Sequence, residues 1–546
     1  MKALRLLTGL VATLLLIGGA AVAILLGPDD TWGGELAALP DSAPVIATAP
    51  QLLNVAGIDL VVSARATTGE VFVGAGHPVH VQDYLDGVTH TEIDELSPDG
   101  VGGSQPQDGD RAYPAAPPAE LDVWDEQQVA QDVTVAVPLT EEAAVQVVVL
   151  PTKAGGAPPE LGIGYGLPGA FVAGVVAAVV GLLLLVGTVV WGRRAKRARR
   201  TAPATAPGAP AESAPAQATT VTRGAPRVAA VGVVAVIAAG CSIPQQVDHG
   251  KAPGVVPLEA ADAQEMLDDY DVRNNAAIRA SDKGDGSTWS RADSGPFLAT
   301  DMLSARTSRF FPPKTTGDGD FQHEARDVFE VEQPAYPLSS IVDVEVPGQD
   351  LEGGQLLYVY SKDDAAAPWK GYSSVYLASR LVTPLPADEA TPSRDDRLTA
   401  AKWDSELDER LAHGTDTDLR IAQGLQEDIN DLSDVPKGVE RVYHSVRPRG
   451  GRRDDRTDQD GPVRVLRVEQ GLLVVTHKEW ERSLYLESGY EWRQTSRERK
   501  IHGSHDAGTV YDEHYLLTAA ILVPDSGTPS IIGSDVERVL DFPPAT

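Results

Sequence analysis

Hydrophobic positions fall into three unbroken runs within the first 240 residues and into short alternating stretches elsewhere. Residues 6–27 carry no charge over 22 positions, and residues 161–192 none over 32. About 20 apolar residues cross a hydrocarbon core as a helix, the open-ended structure that satisfies its own backbone there. The second run predicts a transmembrane helix over 167–191, with Trp191 at the level of an interfacial aromatic. The first predicts a transmembrane helix or a secretory signal. Its length exceeds the roughly 7–15 apolar residues of a signal core and favours an uncleaved anchor. The third run, 228–239, has only 12 residues and ends in Ala238-Ala239-Gly240-Cys241.

Between the first two runs, residues 28–160 carry β-type patterns. Residues 52–66 and 71–81 are short apolar stretches broken by Gly and Pro, and 131–139 and 144–150 are further strands. Apolar positions 81, 85, 88 and 93 predict one short amphipathic helix, and the Gly/Pro/Asp-rich stretch 97–118 a loop. Residues 201–217 (TAPATAPGAPAESAPAQ) form a linker unable to pack a core. Beyond 242 the order helix-then-strands occurs twice, in units 250–384 and 395–546 separated by a Pro/acidic linker at 384–394. The first helix is expected over 260–280 with Met266, Tyr270, Ala277 and Ile278 inward, and strands at 328–331, 341–346, 356–360 and 372–377. The second is expected over 398–411 on Leu398, Leu407 and Leu411. Strands then follow at 439–446, 463–468, 472–476, 515–523 and 531–532, with a charged loop at 449–461.

Charge orients this plan. Residues 1–27 have net charge +2, 28–160 net −19, 193–227 net +7 and 228–546 net −22, within a chain total of −32. Lys and Arg stay on the cytoplasmic side, so the two short basic segments are expected inside and the two acidic blocks outside. The acidity argues against a general nucleic-acid binder, which needs a basic face. A single cysteine excludes an internal disulfide and a thiolate metal site. The basic cluster Arg193, Arg194, Lys196, Arg197, Arg199 and Arg200 suits anionic lipid, and its topological role alone also explains it.

Arg223 and Arg227, the 12-residue apolar core and the small residues before Cys241 together resemble a bacterial lipoprotein lipobox. The resemblance implies a diacylated Cys241 and cleavage just before it. The segment departs from the pattern by Ala238, where Leu is usual, and by its internal position; a short third membrane helix is the other reading. The opening CSIPQ and the following RNNAAI helix also resemble uncharacterised bacterial lipoproteins. Residues 1–200, with FVG, YLDGV and VVVLP between two apolar helices, resemble uncharacterised two-helix bacterial envelope proteins. Helix-then-antiparallel-sheet, twice, resembles cone-shaped folds of the nuclear-transport-factor or cystatin type, which would not give function.

Candidate chemistry is sparse. His77 and His80 with His90 nearby, and the cluster His502, His505, Asp506, Asp512 and His514, have metal-capable residue types but read far more readily as polar loops. Asp318-Gly319-Asp320 lacks the later ligands of a calcium loop and reads as a turn. No nucleophile elbow, phosphate loop, dinucleotide fingerprint or HExxH occurs.

The resulting expectation is a membrane-anchored bacterial cell-envelope protein. It would have a small antiparallel β domain plus a tandem α+β domain, cone-shaped with helix on antiparallel sheet, both extracytoplasmic. Its expected role is non-catalytic binding or scaffolding, with no catalytic, cofactor or metal residues, Cys241 as lipidation site, and the membrane and other envelope proteins as partners. The alternative is a small hydrolase or isomerase with a pocket in one α+β unit. A third possibility is that the chain unites two proteins usually encoded separately.

Overall fold

A computed structural model describes residues 2–28, 30–40, 42–53, 55–97, 100–140, 144–200, 245–246, 254–312, 320–349, 353–448, 464–502 and 508–539. The chain divides into two compact units, Met1–Pro253 and Gly254–Thr546. Both mix helices with antiparallel sheets.

In the first unit the helices Lys2–Leu26 and Ala170–Arg200 pack side by side. Two stretches, Leu7–Leu26 and Ala170–Trp191, are long and apolar enough to cross a membrane. Small residues make the contact. A Cβ added to Gly19 would lie 2.4 Å from the Gly174 carbonyl oxygen, and one on Gly181 would lie 2.8 Å from that of Ala12. As one helix ascends from Ala12 to Gly19 the other descends from Gly181 to Gly174, so the pair is antiparallel. Each pair of small residues is seven positions apart, the spacing that keeps one seam facing a partner. The large side chains point away: Leu10, Leu14, Ile17, Leu25, Val172 and Leu183 are exposed, while Ala12 is fully buried.

Between the helices sit two sheets around one core. The five-stranded sheet runs Thr31–Gly33, Glu160–Gly166, Ile58–Arg65, Asp132–Leu139, with Ala37–Ala38 also on Glu160–Gly166. The six-stranded sheet runs Gly100–Gln107, His90–Ser97, Ile46–Thr48, Gln146–Pro151, Val71–Gly76, Glu126–Ala130. Its Ile46–Thr48 and His90–Ser97 pair is parallel. Leu60, Val62, Val133, Val135, Val137 and Ile163 from one sheet meet Ile46, Val71, Val73, Ile93, Val147 and Val149 from the other.

Two expectations are corrected here. The helix is confined to Pro78–Tyr84, because Gly87 turns the chain at φ 65° and His90–Ser97 becomes a strand. Gly100–Gln107, expected as loop, is the strand paired to it. Pairing overrides the low strand propensity of GVGGSQPQ, and a Cβ at Gly103 would stand 2.7 Å from an Asp94 carboxylate oxygen. A two-residue strand, Gln245–Gln246, adds antiparallel to Val55–Ala56.

The second unit holds both expected halves. In the first, Glu324–Phe329, Leu338–Glu345, Gln355–Lys362 and Lys370–Leu377 form an antiparallel meander in sequence order. The helix Ala263–Ser281 buries Met266, Tyr270 and Ala277 as expected, whereas Ile278 is half-buried and Asp271, Asn274 and Asn275 complete the inward face. Two of these polar side chains are satisfied locally. Asn275 exchanges two 2.8 Å hydrogen bonds with the backbone of Phe321, and Asp271 accepts the His323 N–H at 2.8 Å. A second helix, Gly295–Phe310, was not expected: Pro296 and Ala305 are its buried residues, so it leaves no hydrophobic stripe to read.

In the second half the helix Arg394–His413 opens with a Ser393/Asp396 capping box and closes at Gly414 with φ 64°. Leu407 and Leu411 are buried. Leu398 is 61% exposed, and Ala400 and Trp403 take its expected place. The helix Gln423–Ser433 packs Leu425, Ile429 and Leu432. The sheet order is Val439–Pro448, Gly471–Leu486, Val510–Pro524, Ser530–Val539, with Arg464–Val468 also on Gly471–Leu486. Gly471–Leu486 is far longer than the expected 472–476, because Lys478 and Arg482 are buried through ion pairs. The two halves share one core, in which Leu357, Val359, Val375 and Leu377 pack with Leu466, Leu473, Val475 and Ala520.

Candidate functional site

The strongest concentration of displaced titratable groups lies in the first half, on the face of the meander opposite that shared core. Strand alternation sends Leu357 and Val359 toward the second half and Tyr358 and Tyr360 toward the helix Ala263–Ser281. There the Tyr270 ring meets Tyr360 edge-on at 5.3 Å between centroids. Tyr358 stacks on Tyr360 at 5.8 Å, and His323 meets Tyr358 at 5.2 Å.

Asp293 enters this cluster from the turn after Trp289–Arg291. The backbone fixes it: its N–H donates to the Trp289 carbonyl at 2.8 Å, and the flanking Ser294 N–H donates to Gly371 at 2.9 Å. A Cβ at Gly371 would lie 2.7 Å from Asp293 Oδ1 and 2.8 Å from the Tyr270 hydroxyl, so only glycine leaves room there. Tyr270 donates to Asp293 Oδ1 at 3.0 Å. Asp293 is 1% exposed, and its Oδ2 has no partner that is a donor by residue type. The group beside it is the carboxyl of Asp301, in the helix Gly295–Phe310. Burial, then the neighbouring Asp301, push the Asp293 carboxyl far above the ordinary carboxylate range. Burial, with Glu537 beyond, pushes Asp301 up as well. Burial also raises Tyr270, Tyr358 and Tyr360, with nearby carboxyls adding to it. Asp293 is buried and Asp301 half-buried, and two such adjacent carboxyls can hold a proton between them, which supplies the donor that Asp293 Oδ2 lacks.

A second buried cluster holds the other half's sheet. Lys478, fully buried, stands 2.7 Å from Asp404 and 2.8 Å from Asp408. Arg482 pairs with Glu513 at 3.0 Å, and Arg538 reaches the same carboxylate at 3.3 Å. His477 meets the Ser373 hydroxyl at 2.6 Å, joining the two halves.

The residues singled out by sequence are placed otherwise. His77 caps the helix Pro78–Tyr84, its Nδ1 accepting the Val79 N–H at 3.3 Å. The His77 and His80 rings are 6.1 Å apart, and His90 Nδ1 meets the Val88 carbonyl at 2.8 Å. Asp512 accepts the Ser483 hydroxyl at 2.6 Å, His514 lies in Val510–Pro524, and His502 ends the helix Ser496–His502. His505, Asp506, Asp318, Gly319 and Cys241 lie outside the described residues. Asp320 pairs with Arg279. Among the described residues no group of three or more His, Cys, Asp or Glu side chains is arranged to hold a metal. The basic residues 193–200 continue the helix Ala170–Arg200.

Sequence reasoning missed Asp293 and Asp301, two carboxylates in a chain with 78 Asp and Glu. The available signal was Tyr358 and Tyr360, two positions apart on one strand face opposite Tyr270. No protein-family model matches the chain, and no curated protein matches it.

Proposed function

We propose that the protein is a non-catalytic binding or scaffolding module of the bacterial envelope, anchored by a two-helix hairpin with both acidic blocks on the extracytoplasmic side. The observation that carries the anchoring is the inverted packing of that hairpin. Glycine and alanine lie at the contact and large aliphatic side chains face outward, the distribution favoured where lipid is the solvent. The charge ledger supports the sidedness, with basic residues at the Lys2 and Arg200 ends and net −19 over residues 28–160. The second unit serves as the larger binding surface. Its first half, a helix on a four-stranded meander, fits a cone-shaped unit. Asp293, the residue best suited to acid–base work, is shut away from solvent, which favours binding over a hydrolase or isomerase.

A further crossing follows from the same reading. Gln245–Gln246 pairs with Val55–Ala56 in the β domain, at the opposite end of the hairpin from Arg200. With the hairpin across a bilayer, the interval between Arg200 and Gln245 would have to cross it once more, and 228–239 is the apolar run of that interval. Cys241 lies four residues before Gln245, within about 14 Å of it at full extension. Ala56 is three residues from Asp59, whose partner Gly166 stands just ahead of the helix Ala170–Arg200. This proximity in sequence supports a diacyl anchor at Cys241 on the outer side.

The test uses single cysteines in a Cys241→Ser background. An impermeant thiol reagent should modify Ser104→Cys and Ala401→Cys in whole cells and spare Ala211→Cys. Protection at 104 would overturn the orientation. For processing, a C-terminally tagged chain should yield a shorter, palmitate-labelled band that reverts to full length in Cys241→Ala. An unlabelled full-length band in both would remove the lipidation.

A further inference from the structure

The carboxyl pair, Asp293 buried and Asp301 half-buried, sits at the attachment point of a weakly held helix. We propose that Asp293 and Asp301 share one proton that latches the helix Gly295–Phe310 onto the first-half sheet, and that loss of this proton unlatches the helix.

Asp293 is fixed to the sheet. The backbone around it pairs with Gly371, its Oδ1 accepts from Tyr270, and the next residue, Ser294, meets the Ser361 hydroxyl at 2.9 Å. Asp301 belongs to the helix, two turns along. A proton between them makes a hydrogen bond from helix to sheet and satisfies Asp293 Oδ2, a buried oxygen otherwise facing only another acceptor. When the proton passes to a base in solution, two like charges remain side by side in a desolvated site.

The surroundings do not absorb that charge. From the helix Ala263–Ser281 the facing groups are Tyr270, Asp271 and Arg273. Arg273 is the only cation among them, and its guanidinium is engaged elsewhere. It donates to the Arg291 and Trp369 carbonyls, each at 2.8 Å, and to Asp269 at 2.8 Å. From the sheet come Tyr358 and Tyr360, both hard to ionise, with His323 held by Asp271. From the strand Ser530–Val539 comes Glu537, which adds a further negative charge beside Asp301. Repulsion therefore falls on the element with least burial. That is the helix Gly295–Phe310, whose buried residues are Pro296 and Ala305.

Amide hydrogen exchange on the full-length protein in detergent tests the latch, with rates corrected for intrinsic exchange. Protection across residues 295–310 is expected to fall about tenfold or more between about pH 5.5 and about pH 8.5 in the wild type. Asp293→Asn and Asp301→Asn supply an amide donor in place of the proton, so each should hold protection level across that range. Level protection in the wild type, or an unchanged pH dependence in both variants, would overturn the proposal. Infrared spectroscopy gives a measurement that does not depend on helix motion. At neutral pH the wild type should show the carbonyl stretch of a buried protonated carboxyl that is lost in Asp301→Asn, and its absence from the wild type would equally sink the idea.

Discussion

The carboxylate of Asp30, just past the end of the first apolar helix, accepts the backbone N–H of Phe171 at the start of the second. Its other oxygen accepts the Gly169 N–H at 2.8 Å, and its own carbonyl accepts from Leu167 at 2.9 Å. One residue thus caps a helix 140 positions away and ties the mouth of the hairpin shut. Asp30 does so at φ 57°, a left-handed conformation that Asp and Asn tolerate better than Ala. Asp30→Ala loses both the cap and the tolerated backbone, and should cost about 2 kcal/mol. Asp30→Gly loses only the cap and should cost about half as much. Thermal unfolding in micelles measures both, and equal losses would assign the effect to the cap alone.

Gly18 and Gly19 are sequence neighbours with opposite expectations. Nothing lies within 4 Å of a Cβ built on Gly18, whereas one on Gly19 would sit 2.4 Å from a backbone oxygen of the partner helix. Gly18→Ala should be neutral or stabilising by up to about 1 kcal/mol through helix propensity. Gly19→Ala should force the helices apart and destabilise the hairpin. Circular-dichroism melts of the two variants in one detergent make the comparison, and similar melting points would remove the seam.

The Asp293 and Asp301 carboxyls are raised in the fold, so the native state binds their proton more tightly than the unfolded chain does. Their contribution to stability is complete below the unfolded value of about 4 and is lost as pH rises through the raised native values, by at most about 1.4 kcal/mol per pH unit for each group. Asp293→Asn should flatten the alkaline side of a melting-temperature profile. A profile parallel to wild type would show that other groups set it.

Lys478 is fully buried between Asp404 and Asp408. Lys478→Met leaves two half-buried carboxylates without their counter-charge and should cost up to about 3 kcal/mol. Adding Asp404→Asn and Asp408→Asn should restore much of that loss. Urea unfolding of the single and triple variants decides, and a triple variant no more stable than Lys478→Met would mean that the lysine acts through packing.

What the sequence made legible follows the strength of hydrophobic contrast. The two long apolar runs and the regular strands 132–139 and 372–377 stand out because water-facing and buried positions differ in residue type. The helix Gly295–Phe310 did not stand out, since it buries almost nothing. The far end of Gly471–Leu486 was masked by charged residues whose partners lie on other elements. Leu425, Ile429 and Leu432 were legible at helical spacing and went unread, as did the sevenfold spacing of Ala12 and Gly19. The acid pair was not legible, because its chemistry arises only when a helix and a turn place two ordinary aspartates together.

The strand Gln355–Lys362 has no free face: Tyr358 and Tyr360 meet a helix, while Leu357 and Val359 meet the other half's sheet. Its meander joins sequence neighbours and can form early, yet it offers a bare aliphatic surface until Leu473, Val475 and Ala520 arrive from more than 100 residues downstream. During synthesis the first half therefore waits as a sticky, half-covered sheet for the second to emerge. A chain ended in the linker at 384–394 would keep that surface exposed for good, and its fate would be aggregation or a chaperone.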